Sequence, residues 1–235
     1  MSIYTYLIIF ILGASTASFL NVVAYSIPIK ANWITRRSTC PHCHTLLTAT
    51  QLIPILSYLI QKGRCHRCQA KISPIYPLIE IAGGLLFVTP LILSGEMPLL
   101  QLAHTWIFFS LLITITLTDL YYGLIPNKIL AIFGILLLIR EPHLLSGIIG
   151  FSLFFISAYM GKRLFKKTVL GGGDLKCYFI IGLNLELNLL LLSIIASCLF
   201  ALLYILFISK DKHGALRFAP FISLGVIIVI IFSNI

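Results

Sequence analysis

Acidic residues are scarce in this chain: seven Asp and Glu stand against 17 Lys and Arg among 235 residues. Charge of either sign is thin, at 10% of residues, while 59% are hydrophobic. So little polar surface excludes a soluble globule of this length. No Lys or Arg precedes the first apolar run, Tyr4 to Tyr25, which disfavours a cleaved signal peptide, since that needs a basic start and a short apolar core. Alternating apolar segments of about ten residues are also missing, which excludes an outer-membrane barrel. With a mean hydropathy of +1.04, the chain reads as an all-α, polytopic membrane bundle of helices built on apolar runs. The net charge of +10 is not a nucleic-acid signal, because Lys and Arg gather in the connectors as the positive-inside rule expects. Anionic membrane lipids, rather than nucleic acid, are the partners this distribution favours.

Hydropathy and backbone breaks predict about eight crossings, near 4–25, 77–94, 99–118, 125–139, 145–161, 174–183, 188–208 and 218–233. The run from Cys177 to Ile208 is too long for one span, and Asn184, Glu186 and Asn188 interrupt it, so the sixth helix is short. This layout sorts charge. All of the 17 Lys and Arg except Arg140 fall on the cytoplasmic side, Glu96, Glu141 and Glu186 fall outside, and both termini are external. The organisation expected is a first transmembrane helix (1–25), a cytoplasmic loop (26–75) and a seven-helix membrane core (76–235). In the first helix Gly13, Ala17 and Asn21 lie four apart, as do Ala14 and Ser18, giving a small and polar stripe for close packing. A role for Ser18 or Asn21 near the chemistry is the competing reading. The loop carries Lys30, Arg36, Arg37, Lys62, Arg64, Arg67 and Lys71 without an acid. Its apolar piece, Leu52 to Ile60, is too short to cross and is broken by Pro54, so it packs on the loop's own core or lies at the interface.

Within that loop, Cys40-Pro41-His42-Cys43 and Cys65-His66-Arg67-Cys68 form two Cys-x-x-Cys knuckles separated by 21 residues. Four thiolates so paired match a tetrahedral structural zinc site with no position left for water. Redox-active or unmetallated thiols are the alternative, and His42, His44 and His66 are alternative ligands if not simply solvated. A reducing cytosol argues against two disulfides. Cys177 and Cys198 lie in apolar segments and read as packing residues.

Two acids stand beside backbone breaks at membrane boundaries. Asp119 is in Thr118-Asp119-Leu120-Tyr121-Tyr122-Gly123-Leu124-Ile125-Pro126-Asn127, and Asp174 is in Gly171-Gly172-Gly173-Asp174-Leu175-Lys176. In the layout above Asp119 ends the third helix and Asp174 begins the sixth, both on the cytoplasmic side. If they meet, charge repulsion keeps one protonated while the other polarises water, which is aspartic-protease chemistry. The glycines let a substrate strand approach. The plainer reading is an interfacial turn with Asp174 as the N-cap of the next helix.

These residues resemble the type IV prepilin peptidase family, membrane aspartic proteases with a Gly-x-Gly-Asp-x-Lys motif, matched here from Gly171 to Lys176. Asp119, seven residues before Pro126, stands where the family has its first catalytic aspartate. Further blocks occur in family order over nearly the whole chain: Ser18-Phe19-Leu20-Asn21, both cysteine knuckles, Leu52 to Leu59, Tyr76-Pro77-Leu78-Ile79-Glu80 and Phe218-Ala219-Pro220-Phe221. Many relatives carry further acids where this chain has Tyr121 and Asn127. The resemblance implies an endopeptidase of the inner (cytoplasmic) membrane that cuts the basic leader from prepilin-like precursors of pili, secretion or competence systems. Asp119 and Asp174 would be catalytic, supported by Gly171, Gly173, Lys176 and Pro126. Asn21 and Glu80 are candidate substrate contacts, Glu80 being as well explained by helix packing. Zinc on Cys40, Cys43, Cys65 and Cys68, and methylation of the new terminus with S-adenosylmethionine, are further expectations. The rivals are a non-enzymatic assembly factor that binds pilin precursors and a proton-coupled transporter, though the acids expected at mid-bilayer and the repeat symmetry of a transporter are not evident.

Overall fold

A computed structural model describes residues 2–29, 37–165, 171–208 and 216–233, the side chains of 164 and 165 excepted. Lys30 and Arg36 of the basic loop lie outside the described residues. The main helices are α1 (Ile3–Ser26), α2 (Leu56–Ile60), α3 (Ile75–Ser94), α4 (Leu99–Tyr122), α5 (Asn127–Leu137), α6 (Leu144–Phe165), α7 (Gly172–Asn184), α8 (Leu187–Phe207) and α9 (Ala219–Phe232), with a 3-10 turn at Ala49–Leu52. Helix is what apolar runs must form in lipid, because it satisfies every backbone donor and acceptor within the segment. α1, α3, α4, α6 and α8 are long and apolar enough to cross a membrane. α5, α7 and α9 have 11, 13 and 14 residues, short of the ~20 that a full span needs. The third expected crossing runs further than hydropathy indicated: α4 continues to Tyr122, so Asp119 sits inside its last turn instead of ending it.

The chain divides into two compact units, residues 1–102 and 103–235. In the first, α1 packs along α3 through the stripe of small residues. Gly13, Ala14, Ala17 and Asn21 are all buried. A Cβ on Gly13 would lie 2.5 Å from the carbonyl oxygen of Gly83, and one on Gly83 would overlap the Cβ of Ala17. The backbones therefore meet as closely as small-residue membrane packing allows. Gly83→Ala is expected to cost about 1–3 kcal/mol by overpacking, measured as a lower melting temperature in detergent; an unchanged melting temperature would show that the two helices part without cost.

In the second unit α6 meets α7 and α8 meets α9 by the same device. A Cβ on Gly182 would lie 2.7 Å from the Ser146 carbonyl oxygen, and one on Gly225 would lie 2.7 Å from the Ser197 amide nitrogen. Tyr178 is fully buried in α7 and stacks on Phe154 of α6 with ring centroids 3.9 Å apart. α4 is tied to α9 by hydroxyls. Thr116 donates to Ser223 at 2.8 Å, and Ser223 donates to the Leu112 carbonyl at 3.0 Å. Outward faces stay apolar, with Leu192, Leu199, Leu202 and Phe207 of α8 exposed, as a lipid-facing surface requires.

Candidate active site

Asp119 is 7% exposed, and its neighbours explain how a buried carboxylate is tolerated. The backbone amide of Ala219, the first residue of α9, donates to Asp119 Oδ2 at 3.0 Å. Pro220 opens the same helix, where its missing N–H costs nothing. The positive end of α9 thus faces an acid that favours it. Arg217 adds a cation: its guanidinium donates to the carbonyl of Leu120, next to Asp119, and its charge is felt at the Asp119 carboxylate.

Asp174 is half-buried in the first turn of α7. Gly171, not Asp174, is the N-cap, and its amide donates to Asp174 Oδ2 at 3.2 Å. Gly173 lets the connector between α4 and α5 close in, since a Cβ there would lie 3.0 Å from the Cβ of Ile125. Pro126, extended at φ −68° and ψ 130°, then starts α5. Lys176 donates to Asn127 Oδ1 at 2.9 Å, pinning the start of α5 to the start of α7. Its partner is this amide and not Asp174, so Lys176 acts on the connector rather than on the carboxylate directly.

The two acids lie within electrostatic range of each other. The charge on Asp119 acts on Asp174, and both carboxylates act on the buried Cys177 thiol, one helical turn beyond Asp174. Such a pair, with a backbone amide on each member, can hold one proton between two carboxylates and polarise a water. Arg217 went unnoticed in the sequence, where it read as one more basic connector residue. Its position directly before Phe218-Ala219-Pro220 was the available signal.

The four loop cysteines also converge. Cys40 Sγ lies 3.8 Å from Cys68 Sγ and Cys43 Sγ 3.9 Å from Cys65 Sγ, and all four sulfurs lie within 4.8 Å of one another. Tetrahedral Zn–S bonds of ~2.3 Å place sulfurs ~3.8 Å apart, so the donor set fits zinc. The knuckles repeat one turn. His44 and Gln69 have φ of 56° and 58°, and their amides donate to the carbonyls of Cys40 and Cys65 at 2.9 and 3.0 Å. Arg67 of the second knuckle reaches Thr45 behind the first at 3.0 Å. Hydrogen bonds from Thr45 pull the Cys43 thiol down to about 6, and the Cys68 and Arg67 amides lower Cys65. Both shifts favour the thiolates that a metal needs, while burial and the three neighbouring thiols push Cys68 up to about 11, as crowding four sulfurs does to one of them until a cation offsets their charge. Four sulfurs complete the set without His42, His44 or His66.

Asn21 and Glu80 belong to the first unit. Glu80 accepts from Ser18 at 2.8 Å through one oxygen and from the Ile55 amide at 2.7 Å through the other. Ile55 has φ 65°, costly for a β-branched residue, and the carboxylate helps hold it there. Glu80 therefore clasps α1, α3 and the Leu52–Ile60 stretch.

The chain is similar to known proteins. The model of the bacterial peptidase A24 N-terminal domain matches residues 11–93, and that of the type IV leader peptidase family matches residues 106–206. A prepilin leader peptidase/N-methyltransferase of Bacillus subtilis is 34% identical over 97% of this chain and 94% of its own length. A type 4 prepilin-like proteins leader peptide-processing enzyme of Escherichia coli is 30% identical over 91% of this chain and 88% of its own length. A Vibrio cholerae prepilin leader peptidase/N-methyltransferase is 28% identical over 97% and 95%. No solved structure matches the chain.

Proposed function

The chain belongs to the type IV leader peptidase family, and we propose that Asp119 and Asp174 are its water-activating pair. It is a multi-pass membrane protease that processes prepilin-like precursors. The reading of the pair is carried by one observation: two carboxylates distant in sequence lie within electrostatic range of each other, each in the terminal turn of a helix beside a Gly or Pro break.

The surroundings divide the labour. Asp119 has the Ala219 amide, the positive end of α9 and nearby Arg217, which suit the ionised base. Asp174 accepts from the Gly171 amide and feels the charge of Asp119, which suits the protonated partner. Asp119 takes a proton from water as its oxygen attacks the scissile carbonyl; Asp174 gives its proton to the developing oxyanion. The proton held on Asp119 then passes to the leaving amine as the C–N bond breaks, and the collapsing gem-diol returns a hydroxyl proton to Asp174, so that the pair is reset for another turnover.

The same reading puts the site at the cytoplasmic face of the inner membrane, supported by the gathering of Lys and Arg in the connectors of that side. The loop between α1 and α3 is a zinc-stapled module. Pilins, secretion pseudopilins and competence pseudopilins are the substrate class. The relatives' names pair peptidase with N-methyltransferase, and we extend that activity to this chain: a methyl group from S-adenosylmethionine goes to the new terminal amine, with loss of one proton. The chain carries no separately readable motif for that cofactor. The test is purified protein with a prepilin peptide in detergent, with and without S-adenosylmethionine, read by mass spectrometry. Leader release in both samples, with a methylated stem only in the first, is expected; an uncut peptide overturns the reading.

Arg217→Gln is expected to lower kcat about tenfold, the scale of one charge-assisted contact, with KM changed much less and partial recovery in Arg217→Lys. An unchanged kcat in the Gln variant would remove Arg217 from the site.

A further inference from the structure

The loop of the first unit holds an open hollow of about 450 Å³ that the peptidase chemistry does not use. Tyr58, Lys62, Arg64, Lys71, Ser73 and Pro74 are on its lining, and among the described residues no carboxylate is. Three cations share one concavity. The acid nearest in sequence, Glu80, already has both oxygens engaged by Ser18 and Ile55. A negative charge for these cations must come from outside the hollow.

The hollow is built into the fold. Arg64 and Lys71 face each other as an antiparallel bridge at the base of the second cysteine knuckle, where the Cys65 amide donates to Ala70 at 2.9 Å. The Ile72 amide closes the same turn on the Gly63 carbonyl at 2.8 Å. Gly63 has φ +67°, and a Cβ there would lie 2.9 Å from the Tyr58 hydroxyl, so both the turn and the ring's position require glycine.

Its place along the chain selects the ligand. Ser73 and Pro74 immediately precede α3, one of the helices long and apolar enough to cross the membrane, so the rim lies at a membrane boundary. The positive end of that helix adds to the three cations. Beside Lys62, α2 leaves Leu56, Leu59 and Ile60 exposed by 54%, 63% and 75%. A free phosphate would use the cations and leave that apolar face in water. A basic peptide has the wrong charge.

We propose that this hollow holds the phosphate-bearing headgroup of an anionic phospholipid, with Lys62, Arg64, Lys71 and the Tyr58 and Ser73 hydroxyls around the phosphate. The acyl chains lie along Leu56, Leu59 and Ile60. This site depends on the first unit alone and stands whether or not the aspartate pair is catalytic.

The test is native mass spectrometry of the full chain released from detergent, with phosphatidylglycerol or phosphatidylcholine as the probe and glycerol 3-phosphate as soluble competitor. One retained phosphatidylglycerol per chain is expected, with phosphatidylcholine bound at least tenfold less. The triple variant Lys62→Gln, Arg64→Gln, Lys71→Gln should lose at least tenfold of that retention. Lys162→Gln with Arg163→Gln, cations at the end of α6, should retain it. Ser73→Ala, which keeps all three cations, should lose part of it and guards against a misfolded triple variant. Equal retention in wild type and triple variant, equal binding of phosphatidylcholine, or displacement by glycerol 3-phosphate at lipid-equivalent concentration would each overturn the proposal.

Discussion

Asp119→Asn and Asp174→Asn are each expected to slow prepilin cleavage by about 10³-fold, the scale of a lost general acid or base, while the protein still inserts and purifies as a monodisperse species. Asparagine is the informative replacement because the structural contacts survive it. Its side-chain oxygen can still accept from Ala219 in place of Asp119, or from Gly171 in place of Asp174. Helix α9 keeps its anchor and α7 keeps its first-turn bond; only the titratable proton is lost. A capping role alone therefore predicts near-normal cleavage in both variants, whereas an assembly factor that merely binds precursors predicts no cleavage even by wild type and unchanged precursor binding in both variants. Steady-state cleavage of a prepilin peptide separates these outcomes, and substantial cleavage by both single variants would end the assignment. Reversing the roles of the two acids would leave this result unchanged; Arg217, which sits by one acid only, is the residue that tells them apart.

The positions of the main helices were legible because runs of apolar residues are bounded by breakers, such as Gly95 to Pro98 after α3, Pro126 before α5 and Asn184 to Glu186 after α7. The bounds near the site were not. Asp119-Leu120-Tyr121-Tyr122 looks like an interfacial boundary, yet α4 runs through it, because the acid gains the Ala219 amide from α9, a partner that lies a hundred residues away and that no local pattern reveals. Cysteine spacing announced the sulfur quartet but not the positive φ at His44 and Gln69 that shapes both knuckles. Lys176 illustrates the same limit. Two positions from Asp174, it invites an ion pair, but its ammonium goes to the neutral side-chain amide of Asn127. Glu80 was readable as a helix-packing carboxylate, whereas the strained Ile55 it holds was not.

Cys65→Ser is expected to abolish metal binding and unfold the knuckles, because the loop has little else to hold it. Residues 37–73 contain one five-residue helix, a 3-10 turn and two isolated bridges, and most of their apolar side chains are exposed. A structural zinc site contributes folding free energy of order 10–16 kcal/mol in zinc peptides at neutral pH, far more than these contacts supply. Wild-type protein purified under reducing conditions should carry one zinc per chain, measured by elemental mass spectrometry, and the variant should carry none. Trypsin should then cut at Lys62, Arg64, Arg67 and Lys71 at least tenfold faster, since local opening sets the rate. Metal-free wild type with an equally protected loop would show that the thiols hold no structural metal. Cleavage chemistry should respond differently. With four sulfurs around it the metal has no open position for water, and both aspartates belong to the other unit. The variant is therefore expected to keep kcat within about threefold of wild type while KM rises, the pattern of lost substrate binding rather than lost catalysis. A matched fall in kcat at constant KM would instead make the metal part of the reacting machinery.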